Sequence, residues 1–331
     1  MRGTHALPQR VCDALGIRFP LLLAGMGGIA GPELVAAVSN AGGAGTLGLY
    51  KMPVERIAAV LEETQALTAA PFGANFVPEV LDDAELLQRV DAVMACSRDS
   101  VFLSFFGLPP AAVAAAVRRA GRRLVVQVGS AGEAQAAVQL GAHVLVLQGT
   151  EAGGHLLGEL TTHALLERTR ALLPRAAIAV AGGVATGGDF ARLGAAGADG
   201  VCCGTLFVAT CESRAHPHYK QAVVSAGAGD TEITGLFDIG WPLRRHRVIR
   251  TPRVAAGRSE PAAFIARTQV YGRPCAITRY SAAVPTIETS GAVEEMALYC
   301  GTSCGRIADA HRPAGAVVAA FADDYAAASL H

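Results

Sequence analysis

Lysine is nearly missing from this chain. Lys51 and Lys220 are the only two among 28 basic side chains, so a Schiff-base lysine at a strand end has few candidates and aldolase-type chemistry is not expected. Aromatic residues are scarce at 5%, a level that disfavours an aromatic-rich sandwich and suits small-residue packing of helices on a sheet. Net charge is absent too: 28 basic groups face 28 acidic ones. No overall field favours nucleic acid or an acidic membrane surface, and a small-molecule partner is expected. No run approaches 18 uncharged apolar residues, and Met1–Arg18 holds no apolar core of signal-peptide length, which leads to the expectation of a cytoplasmic protein. The eight cysteines form no CxxC pair and are expected to be buried free thiols, with the adjacent Cys202 and Cys203 on opposite faces of a strand. Cys300 and Cys304 would share a helix face, but two sulfurs alone do not make a metal site. No HxH or HExxH metal spacing is expected, and no strand end carries the paired carboxylates of a glycosidase.

What is present is a rhythm. Apolar residues reach 51% and glycines number 38, and β-rich apolar runs alternate with helical patterns. The spacing predicts eight strands, at Phe19–Ala24, Ala44–Gly48, Phe72–Phe76, Val101–Phe105, Leu124–Val128, Val144–Gln148, Ile178–Ala181 and Gly200–Gly204. Helical segments follow the first seven, at Pro32–Asn40, Pro53–Leu67, Asp82–Val93, Pro109–Ala120, Ala131–Leu140, Thr162–Leu173 and Gly188–Ala196. Thr186 can cap the last of these against Asp189. Unalternating runs such as Val144–Leu147 suit parallel strands covered on both faces. Eight βα units in this length predict an α/β TIM (β/α)8 barrel, with an open doubly wound sheet as the lesser reading. The expected division is a barrel over residues 1–210, a smaller, mostly helical cap over 211–305 and a C-terminal segment, 306–331, whose alanine-rich helix packs back on the barrel.

The C-terminal strand ends of such a barrel carry the chemistry. Gly182-Gly183 after the seventh strand and Gly204-Thr205 after the eighth stand where barrels bind phosphate through backbone N–H groups. Asn75, Gln127 and Gln148 bring amide side chains that can hydrogen-bond the edge of a flat heterocycle, and glycine lets the backbone approach its face; a phosphorylated flavin fits. His155 ends the loop Gly149-Thr150-Glu151-Ala152-Gly153-Gly154, and its imidazole is suited to taking a carbon-bound proton. Glu151 is the competing base, with fixing of its own loop as the alternative. The basic run Arg244, Arg245, Arg247 and Arg250 reads as a solvated face or as a device for capturing an anion.

The stretch Gln148–His155, QGTEAGGH, together with AAVSNAGGAG (36–45), PFGANF (71–76), AGGV (181–184) and GAAGADGVCCGTLFVATCES (194–213), resembles the nitronate monooxygenases, formerly 2-nitropropane dioxygenases, and the related FMN-dependent enoyl-acyl-carrier-protein reductases. The resemblance implies an FMN barrel in which Met26, Asn75, Gln127, Gln148, Gly153, Gly182, Gly183, Cys202, Cys203, Gly204 and Thr205 contact the cofactor and His155 is the catalytic base. It implies oxidation of nitronates, or of nitroalkanes deprotonated by the histidine, with O2. Leu23-Ala24 and Leu156-Leu157-Gly158 differ from the common family pattern and point to a different substrate pocket. FDIGWP (237–242), HRVIR (246–250), VPT (284–286) and MALYCG (296–301) resemble the monooxygenase branch; LTT (160–162) and HPHYK (216–220) also resemble the reductase branch, whose electron donor would be NAD(P)H. A non-redox phosphate-binding barrel such as an isomerase is the third reading.

Overall fold

In the computed structural model, residues 7–50, 52–242, 244–270, 272–307 and 309–330 are described. Eight parallel strands form the centre: β1 Leu21–Leu23, β2 Gly45–Gly48, β3 Phe72–Phe76, β4 Phe102–Phe106, β5 Leu124–Val128, β6 Val144–Gln148, β7 Ile178–Ala181 and β8 Gly200–Cys203. Each pairs with its sequence neighbour, β8 returns to β1, and a parallel bridge between Leu22 and Ala44 joins β1 to β2. The ring is therefore a barrel rather than an open sheet. Helices cover it outside, from Pro32–Asn40 through Gly187–Ala195, and the last, Ala314–Ala328, lies against Gly187–Ala195 and Pro32–Asn40 as the eighth.

Alternation sorts the side chains into two cores. Leu21, Leu23, Phe72, Phe76, Leu103, Phe105, Val126, Leu145, Leu147 and Val180 point out into the helix layer, where burying each large aliphatic contributes about 1.5–3 kcal/mol. Leu22, Ala44, Phe102, Val125, Val144, Val146, Ala179, Ala181 and Cys202 point in, and the helix Arg10–Leu15 adds Val11, Cys12 and Leu15 to the same cluster. That helix plugs the end where the strands begin, with Val11 beside Gly200, the first residue of β8. The opposite end is left for function.

Helix ends follow the sequence chemistry. Thr186 accepts from Asp189 N while Asp189 reaches back to the N-cap backbone, completing the expected capping box. At Gly187 a Cβ would lie 2.1 Å from Tyr325 N and 2.2 Å from Phe321 O, so this glycine sets how closely the last helix can approach.

Between 211 and 305 the expectation of a mostly helical cap is corrected. One helix of nine residues, Pro217–Ser225, is followed by two three-stranded antiparallel sheets. The first pairs Thr231–Thr234 with His246–Ile249, and that strand with the short Gly154–His155; the second holds the hairpin Phe264–Val270 and Arg273–Thr278 with Ser290–Gly291. The hairpin hides its period because only Ala266 and Ile277 of its strands are buried, leaving little apolar alternation to read. Strand β4 also ends one residue later than expected, at Phe106.

Candidate active site at the barrel mouth

Continuing the inward alternation by one step brings Asn75, Ser104, Phe106, Gln127 and Gln148 to the C-terminal mouth. Asn75 stands opposite Ser104, Phe106 opposite Gln127, and Gln148 opposite Ala181. Asn75 and Gln148 are buried; Ser104, Phe106 and Gln127 are half-buried. Small residues alternate with them at the strand ends: Ala24, Gly48, Ala181 and Gly204. The mouth is thus polar at a few points and lined by small residues elsewhere.

The loop after β6 is fixed from both ends. Gln148 Nε2 donates to the His155 carbonyl at 2.9 Å and Leu157 N donates to Gln148 Oε1 at 2.9 Å, so this carboxamide sets where His155 sits. The Glu151 carboxylate accepts from the backbone N–H and hydroxyl of Thr162, at 2.8 and 2.9 Å. Glu151 therefore fixes its loop, the alternative to its role as base. The Thr162 hydroxyl also lies 3.1 Å from the Gly182 carbonyl, tying the β6 loop to the Gly182-Gly183 turn, where φ is 119° and 72°.

From the other side, Tyr299–Thr302 closes on these loops. Thr302 N donates to the Glu151 carbonyl at 3.0 Å, Gly301 N donates to Thr205 Oγ1 at 2.9 Å, and a Cβ on Gly153 would stand 2.5 Å from Gly301 N. Arg247 adds its Nε to the Thr150 carbonyl at 2.8 Å and a guanidinium nitrogen to Thr231 Oγ1 at 3.0 Å. Burial lowers its pKa, opposed by Glu151.

His155 itself is carried on a two-residue strand paired with His246–Ile249, with His246 directly across. Its ring, in a residue only 6% exposed, stacks on Trp241 with centroids 3.8 Å apart and planes 15° from parallel. The rings of His246 and Tyr299 stand 5.2 Å away, and Tyr50 and Phe106 flank the indole at 5.6 and 5.5 Å. Trp241 Nε1 donates to Glu79 Oε1 at 2.6 Å, and Arg244 pairs with the other Glu79 oxygen at 2.7 Å. His246 accepts from Phe237 N at its Nε2, 3.2 Å, and its Nδ1 lies 3.3 Å from the Arg244 carbonyl. Burial pushes its pKa down, and the accepting Nε2 leaves the proton on Nδ1.

The sequence-named positions gather unequally. Asn75, Gln148, Gly182, Gly183, Gly204 and Thr205 surround the mouth; Met26 packs over Gly204, with its sulfur 3.3 Å from where a Cβ would stand. The Cys202 thiol lies in the inner core, its pKa pushed up to about 12 by burial. Cys203 is a correction: adjacent strand residues face opposite ways, and its thiol sits in the outer core 3.9 Å from the Val184 carbonyl. The basic run divides: Arg245 and Arg250 are exposed, as a solvated face requires, Arg245 on the Ile233 carbonyl and Arg250 paired with Glu232, whereas the half-buried Arg244 and Arg247 are taken up by Glu79 and the Thr150 carbonyl. Cys96, Cys211 and Cys275 are exposed, against the expectation of buried thiols. Cys300 and Cys304 are buried and in contact, each thiol shifting the other, but no group of three metal-binding side chains occurs among the described residues. The expectation of no HxH spacing is corrected by His216-Pro217-His218, where His216 Nδ1 accepts from His218 N and caps a helix rather than offering a metal ligand pair. Sequence reasoning missed Trp241, Glu79, Tyr50, Tyr299 and His246 as parts of the site. For Trp241, His246 and Tyr299 the signal was the FDIGWP, HRVIR and MALYCG stretches, read only as marks of a branch; Tyr50 and Glu79 lie outside them.

Known proteins share this architecture. A dehydrogenase of Mycobacterium tuberculosis acting on a 5-hydroxy-7a-methyl-1-oxo-octahydro-1H-indene-4-carboxyl-CoA is 34% identical over 252 residues, 73% of this chain and 66% of that one, so the chain matches just under two thirds of that relative's length. FabK from Thermotoga maritima superposes with a TM-score of 0.77 at 26% identity, over 96% of this chain and 95% of that one. A nitroalkane oxidase from Streptomyces ansochromogenes gives 0.74 at 26%, over 97% and 99%. The family model described as nitronate monooxygenase matches residues 9–323, and the chain belongs to the nitronate monooxygenase family.

Proposed function

We propose that this protein is an FMN-dependent nitronate monooxygenase that oxidises alkyl nitronates, or nitroalkanes after deprotonation, with O2 to a carbonyl compound and nitrite. The observation that carries the reading is His155, held at the end of the β6 loop by Gln148 beneath an aromatic wall, in a chain of this family. The residues at the mouth suit a flat phosphorylated ring: Gly182 and Gly183 hold a positive φ that turns the backbone after β7, Gly204 stands at the end of β8 ahead of a helix, and Asn75 and Gln127 offer amides nearby. Bound there, FMN would supply the electron-accepting chemistry that the protein's own side chains lack.

His155 takes the proton from the carbon next to the nitro group, and the imidazolium that results faces the nitronate anion it has made. Gln148 fixes the strand that carries it, and Met26, Gly153 and Thr205 complete the cofactor side. In this reading residues 1–210 form the cofactor barrel, 211–305 the cap that shapes the substrate space, and 306–331 the segment whose helix closes the barrel. No helix among the described residues is long and apolar enough to cross a membrane; we place the protein in the cytoplasm with a small-molecule substrate.

The likeness to FabK favours one second reading, an NAD(P)H-dependent FMN reductase of enoyl thioesters or quinones. Anaerobic mixing separates the two. Ethylnitronate reduces the flavin of a nitronate monooxygenase, whereas rapid bleaching by NADH or NADPH with no response to nitronate overturns that reading. His155→Ala is expected to keep FMN and to lose turnover of neutral nitroalkanes by about 10²–10⁴-fold, with preformed nitronates less affected; equal turnover of neutral nitroalkanes removes His155 from the mechanism.

A further inference from the structure

His155 is stacked on the one tryptophan of the chain. At 8% exposure that indole has its polar edge anchored 162 residues away in sequence, on Glu79 in the turn after β3, and its sides walled by Tyr50 and Phe106. A buried indole held by its N–H and by two neighbouring rings has little freedom to turn. We propose that Trp241, locked by Glu79, is the positioning residue for His155: its face fixes the plane of the imidazole and stabilises the imidazolium formed when the base takes its proton. The inference rests on the reading of His155 as the base.

The physical reason is the charge of the ring face. An indole attracts a cation placed over it and gains less from a neutral imidazole, so the stack favours the protonated product, and exclusion of water strengthens the effect. The surroundings agree. His246, across the strand pair, accepts a backbone N–H at Nε2 and is held neutral, so it brings no second positive charge. Tyr299 and Tyr50 are the other titratable rings facing the pair. Glu79 is neutralised by Arg244, and Asp238 acts on His246 from the turn before Trp241.

The test reads His155 without requiring turnover. In holoenzyme carrying isotopically labelled histidine, NMR gives the titration midpoint of His155 in wild type, Trp241→Phe, Trp241→Leu and Glu79→Ala. Trp241→Leu is expected to lower the midpoint by about 0.5–1.5 pH units, with Phe recovering a good part of the shift and Glu79→Ala falling between. The acid limb of kcat/KM for neutral nitroethane should move with the midpoint, and kcat for nitroethane should fall about tenfold while preformed ethylnitronate stays within about twofold. Midpoints in Leu and Ala variants within about 0.2 units of wild type overturn the proposal. Should Trp241→Leu not fold, Glu79→Ala decides by the same criterion. If wild type ignores nitronates, the functional reading fails, while the midpoints still decide the role of Trp241.

Discussion

Gln148 closes both ends of its carboxamide on the backbone of residues 155 and 157. Its replacement by alanine removes two buried hydrogen bonds and leaves a carbonyl and an N–H without partners, at about 1–3 kcal/mol each. Thermal melting is expected to show that loss, and turnover of neutral nitroalkanes should drop further than turnover of preformed nitronates, because His155 loses its register. Equal losses on both substrates would assign Gln148 to stability alone. Asp189 makes a pH-dependent prediction. Burial pushes its carboxyl up, but donation from Ala185, Thr186 and the Arg306 guanidinium outweighs this and holds it below the ordinary range. A group with a lowered folded pKa adds stability above its unfolded value and loses it as pH falls through the folded one. Asp189→Asn is therefore expected to be less stable than wild type near neutrality, by about 1–2 kcal/mol, and the gap should close below about pH 4. Denaturant titration at several pH values checks it.

At the scale of elements, the packing of the last helix depends on the missing side chain of Gly187. Gly187→Ala drives a methyl into the backbone at Tyr325, an overpacking that cannot relax by side-chain rotation and is expected to lower stability by about 1–3 kcal/mol or more; differential scanning calorimetry reads it directly. The barrel elements were legible because each carries a run long enough to show its period and a capping or glycine signal at its end; Pro32–Asn40 and Leu124–Val128 match to the residue. The cap strands were not, since Phe264 is 76% exposed and the hairpin buries almost nothing that would mark a face. The pairing of Gly154–His155 with His246–Ile249 could not be read either. It joins two short segments more than 90 residues apart, and no local pattern fixes such a register.

For the whole molecule, cofactor binding and folding are one equilibrium. FMN added to cofactor-free protein is expected to raise its melting temperature, since a ligand at 100 times its Kd adds about 2.7 kcal/mol to the folded state. Riboflavin, which lacks the phosphate, should raise it much less if the loops after β7 and β8 hold that group; equal shifts would place the phosphate elsewhere. The strand ends and His155 were readable as a constellation because barrel topology dictates where every βα loop emerges. The aromatic wall was not, because Trp241, Tyr50 and Tyr299 come from three distant stretches that meet only when the cap lies over the mouth.

The strand pair that carries His155 has a consequence for how this family can diversify. His155 belongs to the sheet of the cap as much as to the barrel, since Leu156 N bonds the Arg245 carbonyl and His155 stands opposite His246. A cap exchanged for that of a relative, or lengthened by one residue ahead of His246, would shift the ladder and turn the neighbouring side chains to the other face. On the proposed reading, substrate range and basicity are in this way inherited together. A lineage that remodels its cap to admit a new molecule also resets the neighbours of the histidine proposed as its base.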